Sequence, residues 1–290
     1  MNLTRKNLAP IGFAFIFAFS CTIQAQQNTP RKFEPISEEL ANLVLNKREK
    51  VLLELETLKG SEWIGKYRAF DSATVTISFD WTPASGFTIW RENCSRPGDV
   101  RVNYGNVNFN GSLLTLSPER TEKSQHTYIP PVSLVPVKWG EQHRLIPSDR
   151  LALFAYAVNS GDFEEIEAYF VKVEDYQKPN EGLPNLPKEY KKYLNVKPIR
   201  AKVSALSVNE SEYPQLTELQ LNIGKAQGVI VGMKFYLIGV KDRFASIEIT
   251  EVQENTSMAR VGMIGTSGGN NEEFKFKVGW RFSSKMPEGY

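Results

Sequence analysis

The octet TVTISFDW, Thr74 to Trp81, sets Val75, Ile77, Phe79 and Trp81 on one side of an extended chain and Thr74, Thr76, Ser78 and Asp80 on the other. That period of two marks a strand with one apolar and one polar face. Around it, turn signals recur at roughly 8–12 residues, the spacing of a sandwich or meander barrel. The predicted strands are Trp63–Phe70, Thr74–Trp81, Gly86–Arg91, Val100–Tyr104, Asn106–Phe109, Leu113–Leu116, Val132–Trp139, Arg144–Ile146 and Tyr169–Val173. Asn110-Gly111 tolerates the positive backbone angles of a tight hairpin turn. After Pro147 a short helix is expected, capped by Ser148 or Asp149, with Leu151, Phe154, Ala155 and Val158 along one side and a stop at Gly161.

A longer helix should precede these strands. Ser37 can cap it, Glu38 and Glu39 sit well in its first turn, and Gly60 can end it. Leu40, Val44, Val51, Leu55 and Leu58 fall on one stripe, best used for packing on the same domain.

Beyond residue 198 the period of two returns. Ile199, Ala201, Val203 and Ala205 alternate with polar residues, as do Leu219, Leu221 and Ile223, and Phe274, Phe276, Val278, Trp280 and Phe282. With strands near 234–238, 246–252 and 257–263 the count reaches about six, enough for a small barrel without exposed edges. The fold class is therefore mainly β with minor α. An amino-terminal helix and a β-rich domain occupy 37–175, a Pro-rich linker carrying Pro179, Pro184, Pro187 and Pro198 spans 176–198, and a small β-barrel fills 199–290.

The first 25 residues read as an address. Arg5 and Lys6 precede the apolar run LAPIGFAFIFAF, Leu8 to Phe19, and a short polar stretch ends at the small residue Ala25. That order is a secretory signal peptide, and the run is shorter than the roughly 20 residues of a spanning helix. The expectation is export to the periplasm or beyond, cleavage after Ala25 and a flexible leader over 26–36. Acylation at Cys21 is a weaker alternative, because Ala18-Phe19-Ser20 departs from the lipoprotein signal. Removing Arg5 and Lys6 from 35 basic residues leaves 33, against 33 acidic ones. A chain with no net charge offers no electrostatic case for nucleic acid.

Two groups of motifs are familiar. Trp63-Ile64-Gly65-Lys66-Tyr67, Pro83-Ala84-Ser85-Gly86-Phe87, Tyr104-Gly105-Asn106-Val107 and Pro136-Val137-Lys138-Trp139-Gly140 with Leu145-Ile146-Pro147 resemble a group of uncharacterised secreted bacterial proteins. The likeness implies a domain family and a bacterial envelope setting, and it brings no activity and no functional residue. Val231-Gly232-Met233-Lys234-Phe235 and Val278-Gly279-Trp280-Arg281-Phe282 share the form V-G-x-basic-F. With Asn222-Ile223-Gly224, Gly228-Val229 and Ser257-Met258-Ala259-Arg260-Val261 they resemble the small carboxy-terminal β domain of flagellar assembly protein T, which implies a protein-contacting module.

Chemistry-bearing motifs are scarce. After cleavage Cys94 stands alone, so no internal disulfide forms, and it reads as a small buried apolar side chain. His126 and His143 are the only histidines and lie in no catalytic motif. No metal-ligand spacing and no phosphate loop appears, so neither metal nor cofactor is expected. Glu164, Glu165 and Glu167 read as a solvated edge, and Gly265 to Asn271 as a hairpin tip. Trp81, Trp90 and Trp139 with Arg144 are the candidate binding residues, able to line a groove, while a β-domain core is the plainer use of the tryptophans. Three functional classes follow. The favoured one is a non-catalytic envelope binding or scaffold protein that contacts another envelope protein. A sugar or lipid carrier using the first β domain comes second, and a carboxylate-dependent hydrolase of envelope polymers third.

Overall fold

The computed structural model describes residues 36–287 except 59, 73, 97, 161–168, 196, 208–216 and 267–273. The expected signal peptide, Cys21, Glu164, Glu165, Glu167 and most of the predicted tip at 265–271 lie outside the described residues. Helix α1 (Glu38–Thr57) begins where the Leu40 amide donates to Ser37 Oγ at 3.3 Å, with Glu38 and Glu39 in the positive first turn. Leu40, Val44 and Val51 are its buried residues, and the first two pack with Ile36, Trp90, Val100, Val102 and Tyr104.

Eight strands follow: β1 (Gly65–Ser72), β2 (Val75–Thr82), β3 (Gly86–Asn93), β4 (Val100–Phe109), β5 (Leu114–Pro118), β6 (Ser133–Trp139), β7 (Gln142–Pro147) and β8 (Phe170–Lys172). Each pairs with the next, and β8 closes on β1 through Tyr67↔Lys172 and Arg68↔Val171. The outcome is a closed meander barrel, so no edge of the sheet is left unpaired. Inward residues from every strand except β4 join Tyr67, Phe79, Trp81, Phe87 and Phe170 in one buried cluster, with Val107 and Phe109 of β4 packed against it.

Two local expectations change. The strands expected at 100–104 and 106–109 run as one, β4, because Gly105 serves close approach rather than a break. A Cβ there would sit 2.1 Å from the Ser117 carbonyl oxygen of β5. The polar face of β2 is not wet along its whole length: Asp80 and Thr82 are buried beneath α1. Arg48 Nε donates to Asp80 at 2.9 Å, and Glu54 accepts from Thr82 Oγ1 at 2.7 Å, which satisfies both.

After β7, a 3-10 turn (Ser148–Arg150) leads into α2 (Leu151–Ser160). This helix is apolar nearly all round, as a helix buried on several sides must be. Leu151, Phe154 and Ala155 pack with Val135, Val137 and Ile146 of the first barrel. Leu153 and Tyr156 join the core of the second. The Tyr156 hydroxyl donates to the Ser284 carbonyl oxygen, a further tie between the two. Leu186, just before a 3-10 segment over Lys188–Asn195, and Leu194 within it are buried in the α2 cluster.

The second barrel consists of β9 (Arg200–Ser207), β10 (Glu218–Leu221), β11 (Lys234–Ile238), β12 (Arg243–Val252), β13 (Ser257–Thr266) and β14 (Arg281–Ser283). It closes in the order β10-β13-β12-β11-β14-β9. Here the alternation from Phe274 to Phe282 misleads, since only Arg281–Ser283 is strand. Gly279 takes φ +90 and the Trp280 amide bonds back to Lys277 O, which turns the chain. Phe274, Phe276 and Trp280 instead meet edge to face at 5.2–5.8 Å within the barrel core. The repeated V-G-x-basic-F motif has matching geometry. Gly232 takes φ +86, Met233 bonds back to Ile230 O, and the strands that follow, β11 and β14, pair through Leu237↔Phe282.

Candidate functional site

With both barrels closed around side chains, a concavity lies between them. It is a cleft of about 540 Å³. One wall is the end of the first barrel from which α2 departs, where Tyr128 and Pro131 keep apolar surface exposed beside the buried Ile77, Phe170 and Leu153. The facing wall is the outer surface of β11–β13. There the register sets Lys234 beside Glu248 and Glu248 beside Arg260, alternating in sign across three strands. Arg260 Nη2 donates to Glu248 Oε2 at 2.9 Å. Asp149 and Arg150 project from the 3-10 turn into the same space. Such a surface can bind by burying an apolar group while matching charge at its rim.

The four sequence candidates do not share a groove. Trp81 is wholly buried in the first barrel, edge to face with Phe109 at 5.4 Å. Trp90 is half-buried on the outer face, packed against the α1 cluster, and its Nε1 donates to Glu92 at 2.5 Å. Trp139 and Arg144 do come together: the guanidinium lies over the indole, 5.2 Å from its centroid. Arg144 is buried, its Nε and Nη2 donate to Gln142 Oε1, and burial pulls its pKa down to about 10. Trp139 donates its indole N–H to Gly182 O at 2.8 Å and packs edge to face on Phe154. Their arrangement anchors the 176–198 segment to the barrel. Cys94, expected inside, is exposed in the turn after β3, where its amide bonds to Thr74 O.

The opposite end of the first barrel carries a polar cap. His143 Nδ1 meets Asp175 Oδ2 at 2.5 Å, the same oxygen accepts the His143 amide at 2.9 Å, and Trp63 stands edge-on to the imidazole at 4.9 Å. Glu62 Oε1 lies 3.4 Å from His143 Nε2. Burial opposes ionisation of Asp175, but hydrogen bonds from Lys178 and His143 outweigh it and hold the carboxyl below its usual range. Burial also raises the Tyr67 phenol well above its ordinary value, with Asp175, Glu174 and Glu62 adding to the shift. Lys172 Nζ donates to the Ser61 and Glu62 carbonyls at 2.8 and 2.9 Å. The partners of this His–Asp pair are structural groups that tie 61–63 and 175–178 over the barrel end.

Among the described residues, no group of three or more His, Cys, Asp or Glu could hold a metal ion, and no helix is long and apolar enough to cross a membrane. No family model, no curated protein and no solved structure matches this chain. The cleft residues Asp149, Arg150, Lys234, Glu248 and Arg260 escape sequence reasoning because 84–111 positions separate the turn residues from the sheet residues that face them. The readable signal was local: charges on the solvent face of strands predicted at 234–238, 246–252 and 257–263.

Proposed function

We propose that this chain is an exported, non-catalytic binding or scaffold protein of the bacterial envelope that contacts another envelope protein through the cleft between its barrels. One observation carries the reading: a cleft of about 540 Å³ is walled by two closed barrels joined by a shared helix, and its lining mixes charged and apolar side chains. Helix α2 gives the cleft a fixed geometry, which lowers the ordering cost of binding. The carrier reading has less support, since Tyr67, Phe79, Trp81, Phe87 and Phe170 occupy the first barrel's interior. The hydrolase reading has less still. Of the two carboxylates lining the cleft, Glu248 is ion-paired with Arg260. The likeness of the V-G-x-basic-F motifs to a protein-contacting barrel points in the same direction as the cleft.

A photo-crosslinking residue placed at Met263, in the cleft, and separately at Val278, exposed and outside it, tests the proposal in the tagged protein within its native envelope. The expected result is one partner, identified by mass spectrometry, joined from Met263 and not from Val278. Equal yields from both positions, or none from either, would sink the reading.

A further inference from the structure

We infer that the cleft takes an extended segment of a partner protein in which an apolar side chain stands next to a carboxylate. This deepens the function proposed above and rests on it.

The charge count comes first. Five of the sixteen residues lining the cleft are charged. Arg150, Lys234 and Arg260 face Asp149 and Glu248, so one positive charge is left over. A polyanion such as a phosphorylated glycan would meet both carboxylates and be repelled, whereas a single carboxylate is matched. Arg150 is the group placed to receive it. The side chain is exposed and makes no hydrogen bond or ion pair among the described residues. Its Nη1 also reaches the facing wall, 3.4 Å from where a Cβ on Gly232 would stand. Glu248, by contrast, is already engaged by Arg260.

The apolar lining sets the second requirement. Tyr128 and Pro131 are half-buried and Met263 is exposed among the lining residues, so the cleft presents apolar surface to solvent beside its charges. A carboxylate alone would leave that surface wet. An apolar side chain one residue away from the carboxylate covers it, because neighbouring residues of an extended chain point to opposite sides. The abundance of charge in the lining separates this site from a small-molecule pocket, whose lining is predominantly apolar. It suits a peptide that spans polar and apolar ground together.

The test uses the full mature chain as bait for a phage-displayed library of dodecapeptides. The enriched peptide is then titrated by fluorescence anisotropy against wild type, Arg150→Glu and Val278→Glu. Enriched sequences should share an apolar residue beside Asp or Glu. Arg150→Glu should weaken binding about tenfold or more, Val278→Glu should leave it unchanged, and replacing the peptide's acid by Lys should abolish it. Enrichment without an acidic residue, or equal affinity for wild type and Arg150→Glu, overturns the inference. So does binding of decanoate, read by its displacement of a fluorescent fatty acid, in the absence of any enriched peptide, because the site would then be that of a small amphiphile. Crosslinking from Met263 to a partner segment lacking acid would fail this inference while leaving the scaffold reading intact.

Discussion

The first barrel completes its own core; the second borrows part of its core from outside. In the first, eight consecutive strands close on themselves around Tyr67, Phe79, Trp81, Phe87 and Phe170, a cluster that takes nothing from either helix. In the second, strand order departs from chain order, and the core cluster includes Leu153 and Tyr156 of α2. A meander can pair each strand with its neighbour in sequence as it forms. The smaller barrel must bring β14 between β9 and β11 and fill its space with the Phe274, Phe276 and Trp280 triad as well as α2. The dependence therefore runs one way, through a helix that belongs by contact to both.

The sharpest way to break this comparison is to empty each core in turn. Phe79→Ala in the first barrel and Phe235→Ala in the second both remove wholly buried rings, at a cost of about 3–5 kcal/mol each. Denaturant unfolding followed by tryptophan fluorescence should show Phe79→Ala dragging the whole molecule down, since α2 rests on the first barrel. Phe235→Ala should lower an early transition while the first barrel's persists. Identical single transitions for both variants would mean that the barrels form one cooperative unit.

A smaller effect sharpens the same point from the helix side. Leu153→Ala removes a buried side chain that packs with second-barrel residues and should cost about 2–4 kcal/mol. It should fall on the second barrel's transition, although the residue sits at 153 in the chain. Gly232 adds a check: its Cβ would come within 3.0 Å of Leu153 Cδ2, and its φ is +86. Gly232→Ala should therefore cost more in wild type than in the Leu153→Ala background, where the crowding is gone.

Much of this architecture was readable in the chain, and the failures have physical causes. The alternation of Val75, Ile77, Phe79 and Trp81 gave a strand with its apolar side inward, because period two in a half-buried sheet leaves little choice of register. The Leu40, Val44 and Val51 stripe gave α1, because those spacings share one helical face. Phe274 to Phe282 alternates as cleanly, yet Gly279 turns the chain and aromatic packing, which has no period, holds the rest. Burial of Asp80 and Thr82 was hidden too, since it depends on Arg48 and Glu54 arriving from a helix some 30 positions away. The candidate site was the least legible part. Trp139 with Arg144 could be picked out as neighbours, but whether the pair faces solvent or holds down Gly182 is decided by a segment 43 residues on. The cleft exists only after α2 has placed one barrel against the other.

The clasp between α1 and the first barrel offers a pH test. Glu54 accepts from Thr82 Oγ1, the Ala84 amide at 3.1 Å and the Ser85 amide at 2.6 Å. Burial works against its ionisation, but these hydrogen bonds outweigh it, and the carboxyl is held below its usual range. A folded-state pKa below the unfolded value of about 4.3 means that the contribution is fully present above that value and is lost as pH falls through the folded one. Glu54→Gln should cost about 1–2 kcal/mol at pH 7, and the gap from wild type should close below about pH 4. Asp175, lowered in the same sense by Lys178 and His143, titrates the barrel's capped end in that window. In Glu54→Gln the acid dependence should therefore shrink without vanishing. A gap that stays constant down to pH 3 would mean that Glu54 acts by packing rather than by charge.

The gentlest probe of the one-way dependence is Tyr156→Phe. Its ring is buried between the barrels and its hydroxyl donates to the Ser284 carbonyl, while the Ser284 side chain accepts from the Ile199 amide at 2.8 Å. The hydroxyl thus reaches a residue that pins the start of β9 just after β14 ends, the joint where the second barrel closes. Removing it keeps the ring and its apolar area, so the cost should be only about 1 kcal/mol, that of one buried hydrogen bond. If the second barrel leans on α2 as the shared core indicates, that loss should appear as faster amide hydrogen exchange in β9 and β14, with β1–β8 unchanged. Equal acceleration in both barrels would place Tyr156 in a single common core, and the contrast between a self-contained barrel and a dependent one would fall.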